Sequence, residues 1–187
     1  MASSRHDAIL ASALELFRRR GFHAVGIDEI GAAAGISGPA VYRHFKSKIA
    51  VLVALFDSIS ERMLDSARKI GADGLSPEET LERLVALQVS FAVEERGLLA
   101  VWIRDRRSLP EEDGRRIGRR QVEYVGEWRS ALGRLRPDLS AAEVETIVYA
   151  AIGAINSVGL RDTGLPRHDL EPLLRQLARS VLGGPHR

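Results

Sequence analysis

Cysteine is absent from all 187 residues, so no disulfide can staple this fold and no thiolate can bind a metal. Lysine is almost absent: Lys46, Lys48 and Lys69 stand against 24 arginines. With many alanines and glycines, this bias suggests a GC-rich coding sequence, and arginine abundance alone is then weak evidence for function. Aromatic residues are only 5% of the chain. No apolar run is long enough to span a bilayer and no signal-peptide pattern opens the chain, so a cytoplasmic protein with no membrane partner is expected. Catalytic signatures are also missing. None of His6, His23, His44, His168 and His186 pairs with another at a metal-binding helical spacing, and there is no HExxH motif or glycine-rich phosphate loop. Neither an enzyme, a cofactor nor a metal site is expected.

What is present reads as helix throughout. The hydrophobic fraction of 45% suits a globular core, in one domain or two small ones. A first helix from about Arg5 to Arg20 opens on Ser4 and Asp7, a capping-box-like start, and carries Ile9, Ala13 and Phe17 on one face. Two stronger start signals follow: Ser76-Pro77-Glu78-Glu79 and Ser140-Ala141-Ala142-Glu143, each a cap residue with glutamate three positions later. Gly71 to Pro77 reads as a loop and as a domain boundary. About nine helices result, the last from about Asp169 to Leu182, stopped by Gly183-Gly184-Pro185.

Residues 21 to 48, GFHAVGIDEIGAAAGISGPAVYRHFKSK, hold the sharpest pattern. A helix from about Ile27 to Ala34 ends at Gly35, which can take the positive φ a helix stop demands. Ser37 is a good cap for the next helix, and Pro39 fits its first turn. Gly31 to Ala34 are all small where the two helices cross, although Gly31 sacrifices ~1 kcal/mol of helix propensity. This is the pattern of a helix-turn-helix whose second helix enters the major groove. Residues 1 to 48 hold seven basic and four acidic side chains, against twenty and twenty-one in the remainder, so the positive excess sits where a DNA footprint would.

Gly21-Phe22, Ile27, Ile30, Ala33-Ala34-Gly35-Ile36-Ser37, Tyr42, Phe45 and Ser47-Lys48 together resemble the DNA-binding domain of the TetR family of bacterial transcriptional regulators. Val25 and Gly26 depart from the threonine or serine usual there, and Ile49 stands where an acidic residue usually follows. The resemblance implies an all-α protein: an N-terminal three-helix helix-turn-helix domain (1–48) joined through helix 4 (about 47–70) to a C-terminal helical domain (49–187) that binds an effector and dimerises. It also implies that Tyr42 and Lys48 contact phosphates and that His44 occupies a contacting position. From the residues themselves, Arg43 lies mid-helix, where it can pair bidentately with guanine or touch only phosphate. Gly38, Pro39 and Ala40 either pack on thymine methyls or merely start the helix.

The helix after Ser140 is apolar on most faces, and Ala150, Ala151, Gly153 and Ala154 leave room for a close neighbour. With Leu170, Leu173, Leu174 and Leu177 on the last helix, this pair is the expected homodimer interface. Phe91, Trp102, Tyr124, Trp128, Tyr149 and Asn156 are the candidate effector residues, or else simply core. Asn156, an amide on an apolar helix, requires a partner: a ligand or a neighbour across the dimer. Arg115, Arg116, Arg119 and Arg120 form a basic face that either anchors an anionic effector of acyl-coenzyme A type or is solvated and paired with Glu111, Glu112, Asp113 and Glu123. The expectation is a repressor released from a pseudo-palindromic double-stranded DNA operator by a small, mostly apolar effector. The alternative is a DNA-binding structural or interaction protein of the same fold without an effector.

Overall fold

The computed structural model describes residues 4–161 and 163–183, and these contain nine α-helices and no strand: α1 (Arg5–Arg20), α2 (Ile27–Ala33), α3 (Gly38–Val41), α4 (Lys48–Ala72), α5 (Pro77–Glu94), α6 (Arg96–Asp105), α7 (Glu111–Leu135), α8 (Ala141–Asn156) and α9 (Arg167–Gly183). Short 3-10 turns follow α6 at Arg106–Ser108 and α8 at Ser157–Gly159. Gly184, Pro185 and His186 lie outside the described residues. The three start signals are built as the sequence spells them. Ser4, Ser76 and Ser140 each accept from the backbone N–H three residues on, while Asp7, Glu79 and Glu143 reach back to the cap N–H at 3.2, 3.1 and 2.7 Å.

Two compact units divide the chain. The first comprises Met1–Ile59 and Gly97–Ile117, the second Ser60–Arg96 and Gly118–Arg187. The loop after Ala72 is therefore internal to the second unit and not a boundary between units, as its glycine and proline suggest from sequence. The 25-residue helices α4 and α7 explain the difference, because each contributes residues to both units. Loop composition marks where a helix stops, not where contacts thin out.

In the first unit α2 packs on both α1 and α3. The α2 stop is a complete Schellman motif: the Ile36 N–H donates to Gly31 O at 2.9 Å and the Gly35 N–H to Ala32 O at 3.1 Å, with Gly35 at φ 69°. Ser37 is the N-cap residue of α3, but its side chain makes no capping hydrogen bond, a departure from expectation. The α-helical part of α3 is also only four residues long. The Arg43 and His44 N–H groups bond three residues back, to Ala40 O and Val41 O, so the chain tightens into a turn before buried Phe45. Arg43 therefore sits just past the end of α3 and not in its middle.

In the second unit α8 packs on α9, and α5 packs on both. The Arg96 side chain donates to Val158 O at 2.8 Å and to Arg161 O at 2.6 Å, placing a cation at carbonyls just past α8.

Gly31 is required by contact, not tolerated despite propensity. A Cβ there would lie 2.9 Å from Ile36 O and 3.1 Å from both Gly38 N and Ser37 C, all backbone atoms. Gly31→Ala should therefore lower stability by ~1–2 kcal/mol in urea unfolding, because overpacking outweighs the ~1 kcal/mol propensity gain. A more stable variant would show that the turn has room to yield.

Candidate functional site

The candidate DNA-reading segment runs from Ser37 to Lys48 in the first unit. Of the seven residues expected to contact DNA, Pro39, Tyr42, Arg43 and His44 are exposed, Tyr42 at 53%. Gly38 and Ala40 are buried: the Asp28 carboxylate occupies the place of a Cβ at 38, and Ala40 packs inward at 7% exposure. Lys48 is only partly exposed. Its ammonium donates to Val25 O at 2.7 Å, Phe22 O at 2.8 Å and His23 O at 3.4 Å, and lies 4.5 Å from the Phe22 ring centroid.

Much of the basic charge in this unit is held internally. Arg18 and Arg19 both bind Glu15, whose carboxyl they hold down to about 2. Arg20 pairs with Glu29, which also accepts the Gly26 N–H at 2.7 Å; that backbone bond, then Arg20, lowers its pKa. Glu29 thus serves the α2 start, where Gly26 has no side chain to offer. Arg104 donates to Phe17 O at the end of α1 and to the buried Asp105 carboxylate at 2.9 Å. On the basic face of α7, Arg115 pairs with Glu111, Arg116 with both Asp57 and Asp113, and Arg120 reaches Ser60 Oγ at 3.4 Å. Glu123 is taken by Arg68. This face is therefore largely the paired surface of the plainer reading.

The six effector candidates are distributed unequally. Trp102 belongs to the first unit and packs edge-on against Phe56, with ring centroids 4.9 Å apart. Tyr149 is 47% exposed on the outer side of α8. Phe91 is half-buried on α5. Tyr124, Trp128 and Asn156 do come together, through a residue the sequence reading passes over. The Tyr124 hydroxyl donates to Gln88 Oε1 at 2.6 Å, and Gln88 Nε2 donates to Asn156 Oδ1 at 2.7 Å. Asn156 thus finds its partner within its own chain, in place of the ligand or second subunit expected. The signal in the sequence is Gln88 itself, an amide inside the apolar run LVALQVSFAV. Burial pushes the Tyr124 phenol well above its ordinary pKa, and the Trp128 indole nearby only partly offsets this. The fully buried Trp128 N–H has the Tyr124 hydroxyl as a neighbour but completes no well-formed hydrogen bond among the described residues.

Two surface features complete the second unit. An open groove of about 530 Å³ is lined by Gly126, Arg129, Ser130 and Gly133 of α7 with Leu139, Ala141 and Val144, and by none of the six effector candidates. A strip on α8 and α9 leaves Tyr149, Ala150, Gly153, Leu173 and Leu177 exposed, with open space around a Cβ built at Gly153. Among the described residues no helix is long and apolar enough to cross a membrane, and no group of three or more metal-ligating side chains occurs.

Residues 9–55 match the family described as bacterial regulatory proteins, tetR family, and residues 74–160 match the tetracyclin repressor-like C-terminal domain. The chain is 30% identical over 196 residues to the transcriptional repressor KstR2 of Mycolicibacterium smegmatis, a match covering 97% of this chain and 91% of that protein. The chain belongs to the TetR family. Other relatives are matched over less of their length: the transcriptional activator FasR of M. smegmatis is 37% identical over 65 residues, 35% of this chain and 30% of that protein. The TetR fold is equally plain in three dimensions. A TetR-family regulator from Bordetella parapertussis 12822 superposes with a TM-score of 0.87 at 24% identity, covering 96% of this chain and 95% of that one. FadR of Bacillus subtilis, solved with stearoyl-CoA, gives 0.77 at 18% identity, covering 96% and 99%. KstR2 and FasR are named as transcription regulators, not enzymes.

Within this TetR-family chain, Gln88 is the hinge of the buried polar line. Gln88→Leu should cost ~1–3 kcal/mol by stranding the Tyr124 hydroxyl and the Asn156 amide. Tyr124→Phe should then cost clearly less in the Gln88→Leu background than alone, in a double-mutant cycle read by thermal unfolding. Additive losses would show that the two side chains do not act together.

Proposed function

We propose that this chain is a DNA-binding transcriptional repressor that acts in the cytoplasm as a homodimer. It reads a pseudo-palindromic operator with the end of α3 and lets go when a small, mostly apolar effector binds. The observation that carries the DNA reading is the exposed segment itself: Tyr42, Arg43 and His44 project from a rigidly capped turn, without an internal ion-pair partner among the described residues. Arg43 is the base reader, suited to bidentate pairing with guanine, and Tyr42 and His44 contact phosphate. Pro39 is the apolar contact for a thymine methyl; buried Gly38 and Ala40 support the approach of the backbone. The division of roles runs at residues 48 and 49, with DNA contact before it and effector binding and dimerisation after it.

The repressor sense follows the name of KstR2, a relative matched nearly end to end. Dimerisation is supported by the exposed apolar strip of α8 and α9, the kind of surface that a two-fold partner covers with its own copy. The effector reading rests on the orphaned Trp128 N–H, which invites an acceptor on an otherwise apolar molecule. Phe91, Tyr124 and Asn156 complete that lining, whereas Tyr149 sits on the dimer strip and Trp102 in the other unit. An acyl-coenzyme A effector is the second reading, favoured by the stearoyl-CoA bound to FadR of B. subtilis, although most arginines on α7 are already held by partners. The effector-free alternative draws on the complete burial of Trp128. Titrating Trp102→Phe protein with stearoyl-CoA and with a steroid ketone, chosen because the KstR2 of Mycobacterium tuberculosis is named a ketosteroid transcriptional regulator, read by Trp128 fluorescence and operator release, decides among these. Release without fluorescence change rejects the Trp128 site, and no release by either favours the effector-free protein.

Arg43→Ala should weaken operator binding by ~1–3 kcal/mol and relax the base preference at one position per half-site. The operator is first found by footprinting upstream of the chain's own gene, and an unchanged preference at every position would remove Arg43 from base reading.

Gly153→Glu should convert the dimer to monomer in sedimentation at micromolar concentration, since one substitution places a charge on both halves of a two-fold interface. A variant that remains dimeric would move the interface off this strip.

A further inference from the structure

The two lysines flanking Ser47 differ sharply in what they touch. An ammonium has three N–H donors, and each of those on Lys48 has a backbone carbonyl within reach, at Val25, Phe22 and His23. These carbonyls belong to the loop between α1 and α2. The Val25 and Phe22 side chains beneath it are buried; without the ammonium Val25 O would lose this donor and Phe22 O would keep only the long bond from the Val25 N–H at 3.5 Å. The Phe22 ring beneath the charge adds a cation–π contact. Lys48 has no donor left for a phosphate in this arrangement. Lys46 is the opposite case: it is exposed, follows buried Phe45, which anchors the backbone there, and has no ion-pair partner among the described residues. It also continues the exposed series of Tyr42, Arg43 and His44.

We propose that Lys46 is a phosphate-contacting residue of the DNA interface, and that Lys48 is a positioning residue that pins the loop leading into α2. The inference rests on the reading that the end of α3 faces DNA. It moves the phosphate contact implied by family resemblance from Lys48 to its neighbour, and it gives Lys48 a mechanical task. The loop it holds ends at Gly26, the start of α2, and α2 carries the Gly31 crossing that fixes α3. Losing the ammonium would therefore loosen the reading segment from behind without removing a charge from the DNA surface.

Only three lysines exist, so acetylation of the wild-type protein by an amine-reactive ester, followed by digestion and fragmentation mass spectrometry of the peptides, resolves each one. The probe is a generic 30-base-pair duplex at low salt. Lys46 should react quickly in free protein and be protected severalfold by DNA. Lys48 should react slowly with or without DNA, and Lys69 serves as the control. In parallel, Lys46→Ala should reduce the slope of log affinity against log salt by about 0.9 for each phosphate that the ammonium neutralises. Lys48→Ala should weaken binding with the slope unchanged and speed amide exchange in residues 22–26. Lys48→Arg, which can still donate to carbonyls, should restore both. Lys48 reacting readily when free and becoming protected by DNA, or a slope lowered by Lys48→Ala, would overturn the proposal. So would a Lys46 that DNA leaves unprotected while Arg43→Ala still weakens duplex binding. If Arg43→Ala has no effect and neither lysine is protected, it is the DNA-facing assignment of the whole segment that fails.

Discussion

The backbone-to-backbone approach at Gly31 governs the DNA-facing end of this molecule. Because no Cβ intervenes, α2 lies directly against the carbonyl of Ile36 and the start of α3, and the Schellman hydrogen bonds at Gly35 lock the turn between them. Four residues of α3 could not hold a geometry alone, since an isolated helix of that length does not survive in water. They do so here because the preceding turn is fully bonded and Val41 and Phe45 are buried behind it. The exposed side chains of Tyr42, Arg43 and His44 inherit that rigidity, which the proposed base reading requires.

Charge in this protein is mostly structural. The chain is arginine-rich, yet arginine after arginine is turned inward or sideways. Arg18, Arg19 and Arg20 hold carboxylates, Arg104 binds the end of α1 and Asp105, and Arg96 binds carbonyls just past α8. Exposed ion pairs of this kind add little stability individually. Their consequence is selective: in the first unit they engage Arg18, Arg19, Arg20 and Arg104 and leave the end of α3 as one place where positive charge remains available.

The second unit solves a different problem. Burying an amide and a phenol in an apolar core is costly unless each finds a partner, and the line from Tyr124 through Gln88 to Asn156 supplies those partners across α7, α5 and α8. The Trp128 N–H beside it is left over. The polar line ties three helices together.

Local signals were legible in the sequence because they are set within a few residues. The capping boxes at Ser4, Ser76 and Ser140 depend on spacing alone, and so does the stop at Gly35, which needs only a positive φ. The family resemblance rode on the same short-range pattern between residues 21 and 48. Side-chain destinations were not legible, because they are decided by whatever lies opposite. Gly31 looked like a loss of helix propensity until a backbone appeared 2.9 Å from where its Cβ would be. Lys48 looked free until three carbonyls of a loop more than twenty residues earlier closed around it. Trp102 and Trp128 looked equivalent, yet they belong to different compact units. The sequence by itself determined the helices, their capped starts and the family; only the tertiary structure decided where α3 stops and which charges and polar atoms remain available, because both depend on long-range neighbours that no local pattern encodes.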